Sequence, residues 1–213
     1  MINKYLKGVT KDMIESQGYL YDDMSPMIID MQVVDNLDKN ATRMIIKDKS
    51  GKEKLIDGED KIINFIDEIK SRYKQLKYDR TYLSMATEWS KLSHCSRKQV
   101  GALIVKNGMI ISDGYNGTPT GFDNSCENSD GDTNWYVIHG EANAILKCAK
   151  HGHSCEGGTL YQTHSPCRDC SKLILQSGIK RLVYIEDYKD LSGLKFLREA
   201  GIEIMQCKNE WYN

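Results

Sequence analysis

Residues 139–145 read His139-Gly140-Glu141-Ala142-Asn143-Ala144-Ile145, and about twenty residues on the chain reads Pro166-Cys167-Arg168-Asp169-Cys170. His139, Cys167 and Cys170 are one imidazole and two thiols, a soft N/S donor set that suits zinc. Three protein ligands leave the fourth tetrahedral position open, which separates catalytic zinc sites from closed structural ones. Glu141 stands two residues past the histidine, where it need not bind the metal and is free to move protons beside it.

The local grammar supports this pairing. HGEANAILKCAK reads as a helix of good formers closed by His151-Gly152. Pro166 marks the start of a second helix, CRDCSKLILQ, which ends at Gly178. Cys167 and Cys170 are three apart and therefore share one face of its first turn. A helix N-terminus also lowers a thiol's pKa, favouring the thiolate that a metal requires. H-x-E followed by P-C-x-x-C is a recorded signature of zinc nucleobase deaminases, so this is a match to a known pattern. Competing readings are a redox dithiol, which gives no reason for H-x-E upstream, and a closed structural zinc site. Alone, Glu141 would be an ordinary first-turn carboxylate. A zincin is excluded, because the second His of H-E-x-x-H has no counterpart.

Around these motifs the pattern is one of alternating strands and helices. QVGALIVKNGMIISDGYNG reads as a β-hairpin turning at Lys106-Asn107-Gly108. Residues 118–136 are irregular. GTLYQTH is a strand leading into the PCRDC helix; RLVYIE is a strand, LSGLKFLREAG a helix and IEIMQC a last strand. Such spacing indicates βαβ crossovers and a partly parallel sheet. The expectation is a three-layer α/β domain with a mixed sheet of about five strands, both metal-bearing helices starting at one sheet edge.

Residues 1–79 read as a separate small α+β extension of unknown role, and residues 80–213 as the catalytic domain. In the extension MIIDMQVVD and ATRMIIKD read as strands joined by NLDKN, and KSGKEKLIDGED continues with turn residues. An amphipathic helix, DKIINFIDEIKSRYKQL, carries Ile62, Ile63, Ile66, Ile69 and Tyr73 near helical spacing. A second helix is expected to begin near Arg80, with Tyr82, Leu83, Met85, Ala86, Trp89 and Leu92 as its core stripe.

Composition narrows the class. Apolar residues are 40% and charged residues 28% of 213, with a formal net charge of −1, ordinary for a globular protein and without the basic block of a polynucleotide binder. No apolar run approaches membrane-spanning length, and the residues after Met1 do not read as a signal peptide. Seven cysteines, an odd number, suit a reducing cytoplasm better than a disulfide framework. All of them, with all five histidines, fall between His94 and Cys207, which places the chemistry in the C-terminal part.

SRKQVGALIVKNG, SDGYNGTP, HGEANAI, LYQTHSPCRDC and LQSGIKRLVYIEDY, in this order, resemble the deoxycytidylate (dCMP) deaminases of bacteria and their phages, over about residues 80–207. The resemblance implies the cytidine-deaminase fold and hydrolysis of dCMP to dUMP and ammonia, supplying dUMP for thymidylate synthesis. It implies one catalytic zinc on His139, Cys167 and Cys170, with Glu141 as proton shuttle. A homo-oligomer, often a hexamer, and in many members activation by dCTP with magnesium and inhibition by dTTP, are further implications. The expected setting is cytoplasmic, the host's cytoplasm if the chain is viral, with no membrane or polynucleotide partner.

By the same resemblance Asn116 and Gly117 of GYNG bind the nucleotide near its sugar and base, although Tyr115-Asn116-Gly117 is also good turn chemistry. Arg97 and Lys98 are candidates for the 5′-phosphate, as surface charges that would otherwise be solvated. Ser165 and Tyr188 complete the candidate substrate contacts, Tyr188 by closing over the site. Three features depart from the family: Gly140 stands where Ala is usual; His164 occupies a position that is often apolar; and the loop before His139 is short. Some relatives hold a second zinc near the positions of Cys95 and Cys126, but further ligands are missing here, so both are expected as buried thiols. Cys148, Cys155 and Cys207 are expected to be packing residues. Runners-up are deaminases of dCTP, deoxycytidine or free cytidine, of the pyrimidine intermediate of riboflavin synthesis, and of adenosine in tRNA. A non-catalytic zinc-binding module is the alternative from another class, and it would have no use for Glu141.

Overall fold

The computed structural model describes residues 27–28, 43–48 and 53–207. The chain divides into two units, residues 1–78 and 79–213. In the first, β1 (Met27–Ile28), β2 (Arg43–Asp48) and β3 (Glu53–Asp57) form an antiparallel sheet in the order β1-β2-β3. The expected first strand is described only at residues 27–28, and the expected NLDKN turn lies outside the described residues. β3 falls where the sequence suggests only turn residues. EKLID has little strand signal of its own, and it is held by pairing with β2, Arg43 opposite Asp57 through Lys47 opposite Glu53.

Helix α1 spans Glu59–Ser90 without interruption, so the expected break near Arg80 is absent. Residues 76–82 contain neither Gly nor Pro, and nothing else there stops a helix. Its buried positions, Ile62, Ile66, Ile69, Leu76, Leu83 and Ala86, keep one register. Met85, Trp89 and Leu92, expected in the core, are exposed. Trp89 instead uses its indole N–H, donating to Asp113 Oδ1 at 2.7 Å.

The second unit is organised on a five-stranded sheet, order β5-β4-β6-β7-β8. Its strands are β4 (Gly101–Lys106), β5 (Met109–Tyr115), β6 (Thr159–His164), β7 (Arg181–Glu186) and β8 (Glu203–Gln206). β4 and β5 form the expected hairpin. Asn107 and Gly108, at φ 52° and 74°, make the two-residue loop whose twist matches the strands. β4 pairs antiparallel with β6, whereas β6-β7 and β7-β8 are parallel, so the sheet is mixed. The parallel pairs are joined by α3 (Arg168–Gln176) and α4 (Ser192–Glu199), and α2 (Gly140–Lys150) precedes β6. Among the described residues no helix is long and apolar enough to cross a membrane.

Alternation along each strand sends successive side chains to opposite layers. Ala102, Ile104, Leu160, Leu182 and Tyr184 pack with Ala144 and Cys148 of α2, Ile174 of α3 and Leu194 and Leu197 of α4. On the other face Tyr161 meets Tyr82 of α1, ring centroids 5.0 Å apart. Its hydroxyl donates to Asp79 at 2.7 Å. This is the expected three-layer α/β arrangement. Two glycines allow its layers to close: a Cβ on Gly101 would strike the Ala86 carbonyl of α1, and one on Gly114 the backbone of Gly140 and Ala144 in α2.

Candidate active site

His139 and Cys167 occupy equivalent places, each the extended residue immediately before a helix, α2 and α3 respectively. Cys167 therefore precedes α3 rather than lying in its first turn, and Pro166 stands outside the helix; Cys170 alone of the pair is in that turn. The chain reaches this point from parallel strand ends: Ser165, just past β6, donates its N–H to the Glu186 carbonyl at the end of β7. On the neighbouring side Gly117 and Ile138 exchange N–H···O bonds of 3.1 and 2.8 Å. That bridge fixes the residue before His139.

The three donors converge. His139 Nδ1 lies 3.5 Å from Cys167 Sγ and 3.4 Å from Cys170 Sγ, and all three atoms lie within 4.8 Å of one another. Tetrahedral zinc with Zn–S of about 2.3 Å and Zn–N of about 2.0–2.1 Å puts N and S roughly 3.5 Å apart. The donor set thus has the chemistry and the spacing of a zinc site with three protein ligands. Hydrogen bonding from Cys170 holds the Cys167 thiol down to about 4, against the opposing effect of burial. Its bond to Cys167 raises His139, again against burial.

Glu141, 4% exposed, is in the first turn of α2 beside this cluster. Burial raises its pKa, with His139 opposing. A carboxyl in such a place has its neutral and ionised forms closer in energy than a solvated one, which suits it to accept and return a proton.

A cavity of about 610 Å³ opens on these groups, a volume suited to a small organic ligand. His139, Glu141 and Cys167 line it together with Arg97, Lys98, Asn116, Ser165 and Tyr188. Gly117 does not line it; its contribution is the backbone bridge to Ile138. Asn116 is a bracket as well as a wall. Its Oδ1 accepts the Val100 N–H at 2.7 Å, and its Nδ2 donates to the Lys98 carbonyl at 2.8 Å. Ser165 Oγ accepts the Tyr188 N–H at 2.7 Å. Arg97 Nη1 lies 3.5 Å from Asp132 Oδ1. His164 also faces the cavity, with Nε2 3.2 Å from Glu186 and its pKa lowered by burial.

Glu127, Asp132, Thr133, Val137 and Lys189 line the cavity too, and the sequence did not point to them. All but Val137 and Lys189 sit in the irregular stretch 118–136, where no periodicity says which side chains face inward. That stretch also corrects an expectation: Cys95 and Cys126 are not buried thiols but a disulfide, with Cα atoms 5.0 Å apart. Their separation of 31 residues gives no hint of the pairing, which depends on the loop folding back. Cys148, Cys155 and Cys207 are buried and unbonded, as expected of packing residues.

Comparison with known proteins gives the same picture. The profile of the cytidine and deoxycytidylate deaminase zinc-binding region matches residues 76–186. The deoxycytidylate deaminase of enterobacteria phage T4 is 41% identical, the match covering 62% of this chain and 91% of that protein. ComE operon protein 2 of Bacillus subtilis is 36% identical, over 63% of this chain and 74% of that protein. The dCMP deaminase of cyanophage S-TIM5, solved in complex with dCMP and dUMP, superposes with a TM-score of 0.60 at 44% identity, covering 62% of this chain and 97% of that one.

Proposed function

The chain belongs to the zinc-binding cytidine and deoxycytidylate deaminase family, and from that premise we propose that it hydrolyses dCMP to dUMP and ammonia. The observation that carries this reading is the buried Glu141 beside the His139-Cys167-Cys170 cluster, with Glu141, His139 and Cys167 all lining one cavity of about 610 Å³. The dCMP and dUMP held by the cyanophage relative support the choice of substrate.

His139 Nδ1 and the sulfurs of Cys167 and Cys170 would hold one zinc ion per subunit. When bound, zinc lowers the pKa of a water in its open position to roughly 7, so that a nucleophile is available at neutral pH. Glu141 takes the proton of the attacking water and gives it to N3 of the cytosine ring as the new C–O bond forms at C4. It then takes the proton of the new C4 hydroxyl and delivers it to the amine, so that the C4–N bond breaks, ammonia leaves and the C4 carbonyl forms. Glu141 ends ready for another cycle, and the atoms balance as dCMP plus water giving dUMP plus ammonia. Burial matches Glu141 to this two-way role, because its raised pKa brings the two protonation states closer in energy.

Arg97 and Lys98 bind the 5′-phosphate, Asn116 the sugar and base edge, and Ser165 and Tyr188 close the remaining wall. Gly117 acts through the backbone next to Asn116. The deaminase chemistry resides in residues 80–213, and residues 1–79 are an extension that does not supply it. The enzyme works as a homo-oligomer, a hexamer in the family pattern, in a cytoplasm. dCTP with magnesium activates it and dTTP inhibits it.

The test is ammonia release and loss of cytosine absorbance by zinc-loaded protein with dCMP, deoxycytidine and dCTP, each with and without dCTP-magnesium where it is not the substrate. Turnover of dCMP but not deoxycytidine, abolished in Glu141→Ala, is the expected result. Turnover of deoxycytidine or dCTP alone would remove the monophosphate assignment, and zinc binding with no turnover of any substrate would leave a zinc-binding module.

A further inference from the structure

Between the end of α1 at Ser90 and the start of β4 at Gly101 the chain carries Arg97 and Lys98 to the cavity wall without a strand or helix of its own. Backbone polar groups in such a connection need partners from elsewhere. The Cys95 N–H donates to Ser93 Oγ at 3.2 Å, Gln99 Nε2 donates to the Ser93 carbonyl at 2.7 Å, and Asn116 brackets Lys98 and Val100. The N–H groups of Ser96 and Arg97 go to one side chain, 30 residues away. Glu127 Oε1 accepts both, at 3.1 and 3.2 Å, and Oε2 also accepts that of Ser96 at 3.3 Å.

Glu127 is itself firmly placed. It forms a bridge with Thr133, the adjacent Cys126 carbonyl accepts the Asn134 N–H at 2.8 Å, and Asn128 Oδ1 accepts the N–H groups of Asp130 and Asp132. Cys126 is bonded to Cys95, one residue before Ser96. Desolvation pushes the Glu127 pKa up, but the backbone donors of Arg97 and Ser96 together outweigh it and lower the pKa; it is an anion at neutral pH.

A carboxylate on the wall of a cavity that receives a phosphate should repel its ligand, unless its charge is committed to other donors. We propose that Glu127 is a positioning residue: by engaging the N–H groups of Ser96 and Arg97 it sets the Arg97-Lys98 pair for the substrate's 5′-phosphate. Selectivity for a nucleotide monophosphate over the nucleoside then depends on a side chain that does not itself meet the phosphate. This inference rests on the monophosphate reading given above. It goes beyond it in making phosphate recognition by Arg97 and Lys98 depend on the loop of residues 118–136.

Steady-state kinetics of the full-length, zinc-loaded chain with dCMP and deoxycytidine test it, on wild type, Glu127→Ala and the isosteric Glu127→Gln. Wild type comes first: equal kcat/KM for the two substrates would overturn the monophosphate reading and this inference with it. Given a preference for dCMP, Glu127→Ala is expected to raise KM for dCMP at least tenfold with kcat within about twofold. Its kcat/KM for deoxycytidine should stay unchanged, and Glu127→Gln, which keeps one acceptor, should fall between. Three results would overturn it: no change in KM for dCMP, a lower KM once the negative charge is gone, or equal losses for both substrates in both variants. The last would mark a merely structural contact.

Discussion

Asp79 and Arg181, 102 residues apart in sequence, meet as a buried two-point ion pair, with Nη1 to Oδ1 at 2.7 Å and Nη2 to Oδ2 at 2.8 Å. Asp79 is fully buried. The Tyr161 hydroxyl donates to the same carboxylate, and Arg181 Nε reaches Glu203 at 2.7 Å. The pair ties α1 to the start of β7, on the sheet face that carries Tyr161. Asp79→Ala leaves a buried guanidinium and a buried hydroxyl short of a partner, and should cost about 3–5 kcal/mol. Asp79→Leu with Arg181→Met removes both charges and should recover most of that loss. Urea unfolding of the two variants measures the difference.

Zinc uptake should depend on pH in one direction. Cys167 is already a thiolate at neutral pH, whereas Cys170 is held protonated, first by its bond to Cys167 and then by burial. Binding must therefore displace a proton from Cys170, and a second from His139 wherever its imidazole is protonated, a range that its raised pKa extends upward. Affinity should rise by at least about tenfold per pH unit around neutrality, read by competition with a chelator. His139→Ala, Cys167→Ser and Cys170→Ser should each lose most bound zinc in elemental analysis. Affinity that does not change with pH would contradict this proton count.

Glu141→Gln should separate activity from stability. With zinc in place kcat should fall about 10²- to 10⁴-fold while zinc content holds. In the metal-free protein the sign is opposite. Glu141 has a folded pKa above its unfolded value, so its contribution is fully present below the unfolded pKa, about 4.3, and lost as pH rises through the folded one. At pH 7 the neutral amide removes that loss. Metal-free Glu141→Gln should then melt higher than metal-free wild type at pH 7, with the gap closing toward pH 4.

Gly114→Ala should damage both fold and catalysis. The new Cβ would meet backbone atoms of Gly140 and Ala144, which have no flexible side chain to yield. We expect a loss of about 2 kcal/mol or more. A fall in kcat/KM should accompany it, because α2 carries Glu141 and follows His139. Gly140 is a milder case, its added Cβ lying 3.0 Å from the Val100 carbonyl oxygen.

What the sequence disclosed follows from the range of each interaction. His139, Glu141, Cys167 and Cys170 were legible because two short motifs, each at a helix start, encode them, and the alternation of strands and helices brings the starts together. The sheet was legible for the same reason: period-two runs and an Asn-Gly turn are local. The continuity of α1 through Arg80 is not legible, since two apolar stripes read separately do not show that one helix carries both. Trp89 was misplaced in the core because its spacing fits the stripe, while its indole N–H had a partner on β5 that only the fold reveals. Glu127, Asp132 and the Cys95–Cys126 bond belong to a loop without periodicity, where neighbours are chosen by tertiary folding.

Gly101 and Gly114 lie on adjacent strands, and through them α1 and α2 touch the sheet backbone to backbone. The seat of the catalytic helix is thereby set by main-chain atoms, which substitution elsewhere does not alter. Descendants of this sequence could exchange Ile104, Leu160 or Ile174 for other apolar residues and keep Glu141 where it is. The same lineage would have almost no freedom at two positions that carry no side chain. Evolutionary latitude in this domain is thus partitioned: wide in the apolar filling, narrow at two bare points of contact.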